Sequence, residues 1–523
     1  MTPKFISGPP GTGKTNKFLT AKYLELLKKY PYEKIIILSH TNVAADEIKD
    51  AILKLPEIKE KGLTKKSLKY KICTIHAFCR SRLVGKKELF GLDDHKNLGM
   101  VNSLFKLQQL KKPDLDTHGF YKYLKDAFGK GYVDLKEFWK VCDKISYRPY
   151  TINIVEEMLP YYEDYKKENN VCDYDDMIKE FLDKAKEPDI DALIVDEAQD
   201  SNVAQTEALV KMSKNAKEFF MVGDADQTIF EFAGASADYY HRLSKDAEQL
   251  EEGYRCGETI NSLCKDIIKP IWDYYGYTRI WKPAEGIVGN HYYLRDLKTN
   301  SSSLQILLNK IKNTKETFLF TYRGVPSDSW IKEFFNYHGI EFAHVGSSAH
   351  VSKKELKCHK LWPEFIKGTP MPLKQIKDFW EYMGSKVIIR GKGEESFEDW
   401  INQDYTIDYL IKKNFLKESS INEKDFSLIR KQKGKKEEHR KRLIYIDKVL
   451  RNGFDFDGDV RVKYGNIHTV KGMTFDNVIV DNTLTRREDY FTQLRLKYVA
   501  YSRGRIDCWT IASQGKYTLG GRR

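Results

Sequence analysis

The first eighty residues alternate short apolar runs with longer stretches of helical spacing. A short strand is predicted at residues 4–7. Residues 14–30 then place Phe18, Leu19, Tyr23, Leu26 and Leu27 at the intervals of a helix with one apolar face. Within residues 34–39, Ile35, Ile36, Ile37 and Leu38 are consecutive. A strand apolar at every position needs cover on both faces, which is the situation of a buried parallel sheet. A helix over residues 42–55 and a strand near residues 71–74 complete a βαβ rhythm, which predicts a parallel sheet with helices on both sides.

Residues 81–185 change character. They are rich in lysine and aromatic residues, show helical periodicity and hold few strand runs, so they read as a helical insertion. The rhythm returns at residues 191–195 and 218–222, which defines a first α/β domain from residues 1–80 and 186–249. A second α/β domain is predicted from residues 250–349 and 456–523, with strands at 317–321 and 476–481. Residues 350–455 form a reduced insertion within it. That insertion holds the densest basic run, Arg430 to Arg442, with eight lysines and arginines against two glutamates.

Chemistry concentrates at two places in the first domain. Gly8-Pro9-Pro10-Gly11-Thr12-Gly13-Lys14-Thr15 fits G-x-x-x-x-G-K-[ST] between a predicted strand and a predicted helix, the context that motif needs. Its glycines let backbone N–H groups close around phosphate oxygens, and the helix N-terminus adds positive potential. The expected ATP-binding residues here are Gly8, Pro9, Gly11, Thr12, Gly13, Lys14, Thr15 and Asn16. Lys14 reaches the β- and γ-phosphates, and Thr15 offers a hydroxyl to Mg²⁺. Asp196 and Glu197 follow the apolar run 191–195 directly. Acids at the C-terminal end of a buried strand lie where ligands bind in open α/β sheets. Asp196 is the expected second Mg²⁺ ligand, and Glu197 the expected base that polarises an attacking water.

Composition narrows the partners. Lysine and arginine total 88 against 75 aspartates and glutamates, a net charge of +13 over 523 residues. This favours a polyanionic partner. The longest apolar runs are four residues, so no membrane span is expected. The N-terminus lacks the pattern of a signal peptide. The eight cysteines form no Cys-x-x-Cys pair, which argues against a zinc ribbon and fits reduced thiols. The expectation is an intracellular, cytoplasmic protein of a cell or a virus.

With these motifs in place the chain resembles the superfamily 1 DNA helicases, most closely the UvrD/Rep-like branch, from residue 4 to about residue 513. Further segments line up in the family's order. Ser39 to Ile48 resembles its motif Ia and Thr74 to Phe78 its motif Ib. Val222 to Ala235 resembles motif III, Gly253-Tyr254-Arg255 motif IV, Asn466 to Phe475 motif V, and Arg495 to Arg505 motif VI. Tyr322-Arg323 matches the short motif after the next strand. The resemblance implies two RecA-like P-loop NTPase domains. It gives Gln227 the sensing of the γ-phosphate, Arg255 and Arg503 the clamping of that phosphate from the second domain, Tyr254 stacking on adenine, and Gly472 a place in the ATP site. It places His40, Thr41, Asn42, Thr74, His76, Phe230, Phe232, Tyr322, Arg323 and His468 on DNA. The rings among them suit sequence-tolerant base stacking.

The pattern also departs from the family. Phe232 stands where tryptophan is usual, and His40 where phenylalanine is common. Thr474 replaces a glutamate expected to contact the ribose. Only seven residues precede Gly8, short of the glutamine that reads the adenine edge, so triphosphates other than ATP are open. Motif III points to 3′→5′ polarity, while the Gly-Pro-Pro-Gly-Thr-Gly-Lys-Thr loop is more typical of the opposite branch. The implied activity is ATP- and Mg²⁺-dependent translocation on single-stranded DNA, with unwinding at duplex junctions. A translocase that strips bound proteins, and an NTPase subunit of a larger DNA-processing or defence complex with an accessory partner, are the alternatives.

Overall fold

The computed structural model describes residues 2–83, 88–89, 160, 163–164, 166–168, 170–231, 234–384, 387–389, 397, 400–422, 424–431, 436–453, 458–482 and 489–512. Most of the predicted helical insertion, part of the second insertion and Phe232 lie outside them. The chain divides into two compact units, Met1–Val288 with Asp489–Ser502, and Gly289–Glu488 with Arg503–Arg523.

The first unit is built on a six-stranded sheet, β1 (Lys4–Ser7), β2 (Ile35–Ser39), β3 (Ile72–Thr74), β4 (Ala192–Val195), β5 (Glu218–Gly223) and β6 (Glu248–Gln249), in the order β3-β2-β4-β5-β1-β6. Every pairing is parallel. The strands alternate as a doubly covered sheet must. Ile35, Ile37, Ala192, Ile194, Phe220 and Val222 face one layer with Leu19, Tyr23, Ile48 and Ile52. Ile36, Leu38, Leu193, Val195, Phe219 and Met221 face the other with Phe78, Ile178, Phe181 and Leu209. Each large apolar side chain buried this way contributes about 1.5–3 kcal/mol.

This unit also holds residues 250–288 and 489–502, which the strand rhythm groups with the second α/β region. Here the helix Glu258–Tyr275 lies near the helix Tyr490–Tyr501. Trp281 meets Tyr498 edge to face, with ring centroids 5.9 Å apart.

The second unit carries another six-stranded parallel sheet, β7 (His291–Leu294), β8 (Phe318–Tyr322), β9 (Phe342–His344), β10 (Val462–Asn466), β11 (Phe475–Asp481) and β12 (Gly504–Ile511), in the order β9-β10-β8-β11-β12-β7. The two predicted strands are its central pair, β8 and β11. The residues expected to form the second insertion have a core of their own around Trp362, Phe365, Phe379, Trp380 and Phe397. Their last helix, Lys436–Arg451, joins the sheet instead. Tyr445, Ile446 and Val449 enter the sheet's core, and the Tyr445 hydroxyl donates to the Ile340 carbonyl at 2.9 Å.

Candidate nucleotide and nucleic-acid sites

The order of the first sheet places three functional turns side by side. Strands β4, β5 and β1 are neighbours, and their C-terminal ends lead into Asp196, Asp224 and Gly8. Ser7 pairs with Gly223, and the Gly8 amide donates to the Gly223 carbonyl at 3.1 Å. The loop then turns through Gly11 and Gly13, both left-handed, at φ 75° and 79°. A Cβ at Gly11 would collide with Cβ of Arg255, so only glycine lets that segment lie across the loop. Gly13 starts the helix with a wide turn. Its carbonyl accepts from both Lys17 and Phe18, at 2.9 and 3.0 Å, a local widening of the kind often found at functional sites.

Lys14 is buried, and its ammonium donates to the carbonyls of Gly8 at 2.6 Å and Pro9 at 3.3 Å. Burial pulls its pKa down against the upward pull of Glu197, Asp224 and Asp196. The Thr15 hydroxyl donates to Oδ2 of Asp196 at 2.9 Å, joining the two residues expected to hold Mg²⁺. Burial, then the neighbouring Glu197, pushes the Asp196 carboxyl up to about 7. A buried carboxylate beside a hydroxyl and a second acid fits a hard divalent cation.

Glu197 adopts the left-handed backbone region at φ 53°, unusual for a residue with a side chain. Gln199, 1% exposed, donates from Nε2 to Oε2 of Glu197, and its Oε1 accepts from the Asp224 amide at 3.0 Å. Gly223 permits this, because a Cβ there would strike both Gln199 Oε1 and the Tyr240 hydroxyl. Asp224 in turn accepts from Nε2 of Gln227 at 2.8 Å. The expected base and the expected γ-phosphate sensor thus belong to one hydrogen-bonded chain. Asp224 stands inside the segment Val222 to Ala235 and Gln199 two positions after Glu197, yet the sequence assigns neither a role.

Arg255 is held by the same unit, with Nη1 donating to the Ser502 carbonyl at 3.4 Å and burial lowering its pKa. The amide of Tyr254 donates to the Gly11 carbonyl at 2.8 Å, and the Lys17 ammonium lies 3.2 Å from the centroid of its half-exposed ring. Within the second unit, Arg503 is 1% exposed and donates from Nη1 to the Met473 carbonyl at 3.5 Å, next to Gly472 at φ 88°.

The expected DNA residues fall into groups. In the first unit, Thr41 caps the helix Asn42–Leu53 by accepting from the Ala44 amide, and Thr74 caps the helix Ile75–Ser81 by accepting from the Ala77 amide. Two helix N-termini therefore open at the ends of β2 and β3. Asn42 is exposed there, and His40 Nε2 lies 3.0 Å from the Ser201 hydroxyl. His76 meets Tyr174 edge to face at 5.2 Å, and that tyrosine is 44% exposed. Tyr174 is an aromatic contact that sequence reading did not single out. Its signal is the capping box of Asp173 and Asp176 around it. Phe230 is partly exposed.

In the second unit, Asn466 gathers Arg323 and His468. Its Nδ2 donates to the Arg323 carbonyl at 2.7 Å, and its Oδ1 lies 2.9 Å from His468 Nδ1. Tyr322 is 6% exposed in the core of the sheet, with its hydroxyl donating to Asp328 at 2.8 Å. Its ring is therefore spent on packing.

Residues 1–248 match the UvrD/REP helicase N-terminal domain. The UvrD/REP match covers the glycine loop, Asp196-Glu197 and the segment around Asp224 and Gln227. Similar proteins include the ATP-dependent DNA helicase Rep of Buchnera aphidicola subsp. Schizaphis graminum, 28% identical over 404 residues, covering 68% of this chain and 56% of that protein. A probable DNA helicase II homolog of Mycoplasma pneumoniae is 24% identical over 421 residues, covering 72% and 53%. The ATP-dependent DNA helicase PcrA of Bacillus subtilis is 24% identical over 388 residues, covering 68% and 50%. The chain spans about half the length of the curated relatives it matches. Together with the two parallel sheets, the UvrD/REP match gives an α/β protein with two RecA-like domains. No helix among the described residues is long and apolar enough to cross a membrane.

Proposed function

We propose that this chain is an ATP-driven motor that moves on single-stranded DNA, with 3′→5′ polarity, and unwinds duplex at junctions. The observation that carries this reading is the chain of contacts that leads from Thr15 and Asp196 through Glu197, Gln199 and Asp224 to Gln227. The glycine loop binds the triphosphate through its amides, with Lys14 exchanging the carbonyls of Gly8 and Pro9 for phosphate oxygens. Thr15 and Asp196 would hold Mg²⁺, which supplies charge neutralisation at the phosphates. Glu197 accepts the proton of a water whose oxygen bonds to the γ-phosphorus as the bond to the ADP oxygen breaks. Gln227 reads the γ-phosphate. Tyr254 offers a ring face to the base. On the nucleic-acid side, the helix N-termini after Thr41 and Thr74 attract phosphates, while His40, His76, Tyr174 and Phe230 supply flat surfaces for bases.

The test is ATP hydrolysis with and without single-stranded DNA, beside a Glu197→Gln variant. Strong DNA stimulation in the wild type, falling on the order of 10²–10⁴-fold in the variant, is expected from loss of a general base. Hydrolysis indifferent to DNA overturns the motor reading. Strand displacement on tailed duplexes of either polarity then separates unwinding from translocation alone.

A further inference from the structure

Behind the sensor lies a group of buried charges that no motif above explains. Asp224 and Asp226 are both 0% exposed and lie two residues apart, so their carboxylates repel each other in a medium that screens poorly. The cation between them is Arg279, also buried, whose Nη1 bonds Oδ1 of Asp224 and lies 3.3 Å from Oδ2 of Asp226. Trp272 Nε1 donates to Asp226 at 2.8 Å, and the Tyr277 hydroxyl donates to its other oxygen at 2.9 Å. The same hydroxyl lies 3.0 Å from His241 Nε2.

Asp224 uses every face. Its Oδ1 accepts from Arg279 and from the Asp226 amide, its Oδ2 accepts from Gln227, and its own amide donates to Gln199. A carboxylate fixed at both oxygens cannot rotate. Two glutamine side chains depend on this residue, Gln227 on the fixed carboxylate and Gln199 on the main-chain amide. One of them, Gln199, grips the carboxylate of Glu197.

We infer that Arg279 is a positioning residue for ATP hydrolysis: by locking Asp224 it sets the orientation of Gln227 directly and of Glu197 through Gln199. The inference rests on the reading of Glu197 as base and Gln227 as γ-phosphate sensor. Arg279 bonds to Asp224 and Asp226 and not to the glycine loop, so it acts through them. It stands outside the glycine loop, the Asp196-Glu197 pair and the segment Val222 to Ala235, in the stretch Tyr277-Thr278-Arg279 that follows the helix Glu258–Tyr275. Both contacts come from Nη1, and lysine at this position keeps the charge but is too short to put its nitrogen where Nη1 sits between the two carboxylates.

The experiment measures kcat and KM for ATP at saturating single-stranded DNA for the wild type, Arg279→Lys, Gln199→Met and the double variant. Each single variant is expected to lose about tenfold or more in kcat, with KM held within about threefold, because a displaced reacting group costs turnover rather than binding. The double variant is expected to lose no more than the worse single one, since both cut the same chain. An Arg279→Lys enzyme with wild-type kcat, or losses that multiply in the double variant, overturns the inference. Should Arg279→Lys fail to fold, Gln199→Met decides alone: lost kcat at unchanged KM supports the chain, and unchanged kcat overturns it. A wild type that does not hydrolyse ATP overturns the helicase reading together with this one. An active wild type with unaffected variants overturns only the positioning role.

Discussion

Each unit of this protein buries an ionic cluster, and the two clusters are near mirror images in charge. In the first unit one arginine, Arg279, serves two acids, Asp224 and Asp226. In the second unit one acid, Glu355, serves two arginines, Arg430 directly and Arg442 at 2.7 Å. Each has a partly buried histidine close by, His241 beside the first and His359 beside the second, and desolvation lowers both to about 4. The bonds of the second cluster run between scaffold elements. Glu355 belongs to the helix Lys353–Ile366, capped by Ser352, and Arg442 to the helix Lys436–Arg451. Those of the first cluster run to Gln227 and Gln199. Both places pair opposite charges away from water, and the identity of the bonded neighbours separates a scaffold from a candidate working part.

The sharpest way to break this comparison is to remove one charge from each cluster. Glu355→Gln leaves two arginines without their acid and is expected to cost about 3–5 kcal/mol in denaturant unfolding. Turnover of ATP should stay within about twofold wherever the variant is folded, because Glu355 bonds to Arg430, Arg442 and Ser352 within its own unit. Asp226→Asn should show a similar kind of destabilisation and also lose turnover. Equal losses of turnover in both variants would end the distinction.

Acid should weaken both clusters alike. A histidine with a folded pKa near 4 and an unfolded value near 6.5 stays neutral in the native protein, while the unfolded chain takes up its proton. The stabilisation is complete above pH 6.5 and is lost as pH falls toward 4. His241→Gln and His359→Gln should each flatten the slope of stability against pH in that window by one proton, about 1.4 kcal/mol per pH unit. Slopes identical to wild type would show that neither ring is held neutral.

The smallest effect belongs to the exposed part of the basic run. Lys441 pairs with Glu437 in the open, and both are more than two-thirds exposed. Lys441→Glu should change stability by no more than about 0.5 kcal/mol. If this face is only solvated, the salt dependence of single-stranded DNA binding is also unchanged. A slope lower by about 0.7 for the lost contact would assign it to the DNA path.

What the sequence disclosed follows from how local each feature is. The glycine loop and the Asp196-Glu197 pair are legible because neighbouring residues fix both backbone and chemistry. β2 is legible because four consecutive apolar residues require two covered faces. β10 is not, since Val-Lys-Tyr-Gly-Asn lacks that pattern, although β9 and β8 pair with it on either side. The bond between Arg279 and Asp224 spans 55 positions, and no local spacing announces it. The basic run looks uniform in sequence, yet Arg430 and Arg442 at its two ends turn inward to Glu355. The placement of residues 250–288 with the first sheet arises from contacts between distant segments, which strand rhythm does not encode.

One residue sets the wishes of the backbone against those of the chemistry. Glu197 carries a full side chain in a conformation that glycine adopts without penalty. A lineage selected only for thermal endurance would drift toward glycine there and lose the proposed proton acceptor with the strain. Glutamate at that turn gives up backbone ease in exchange for a carboxylate at the end of β4.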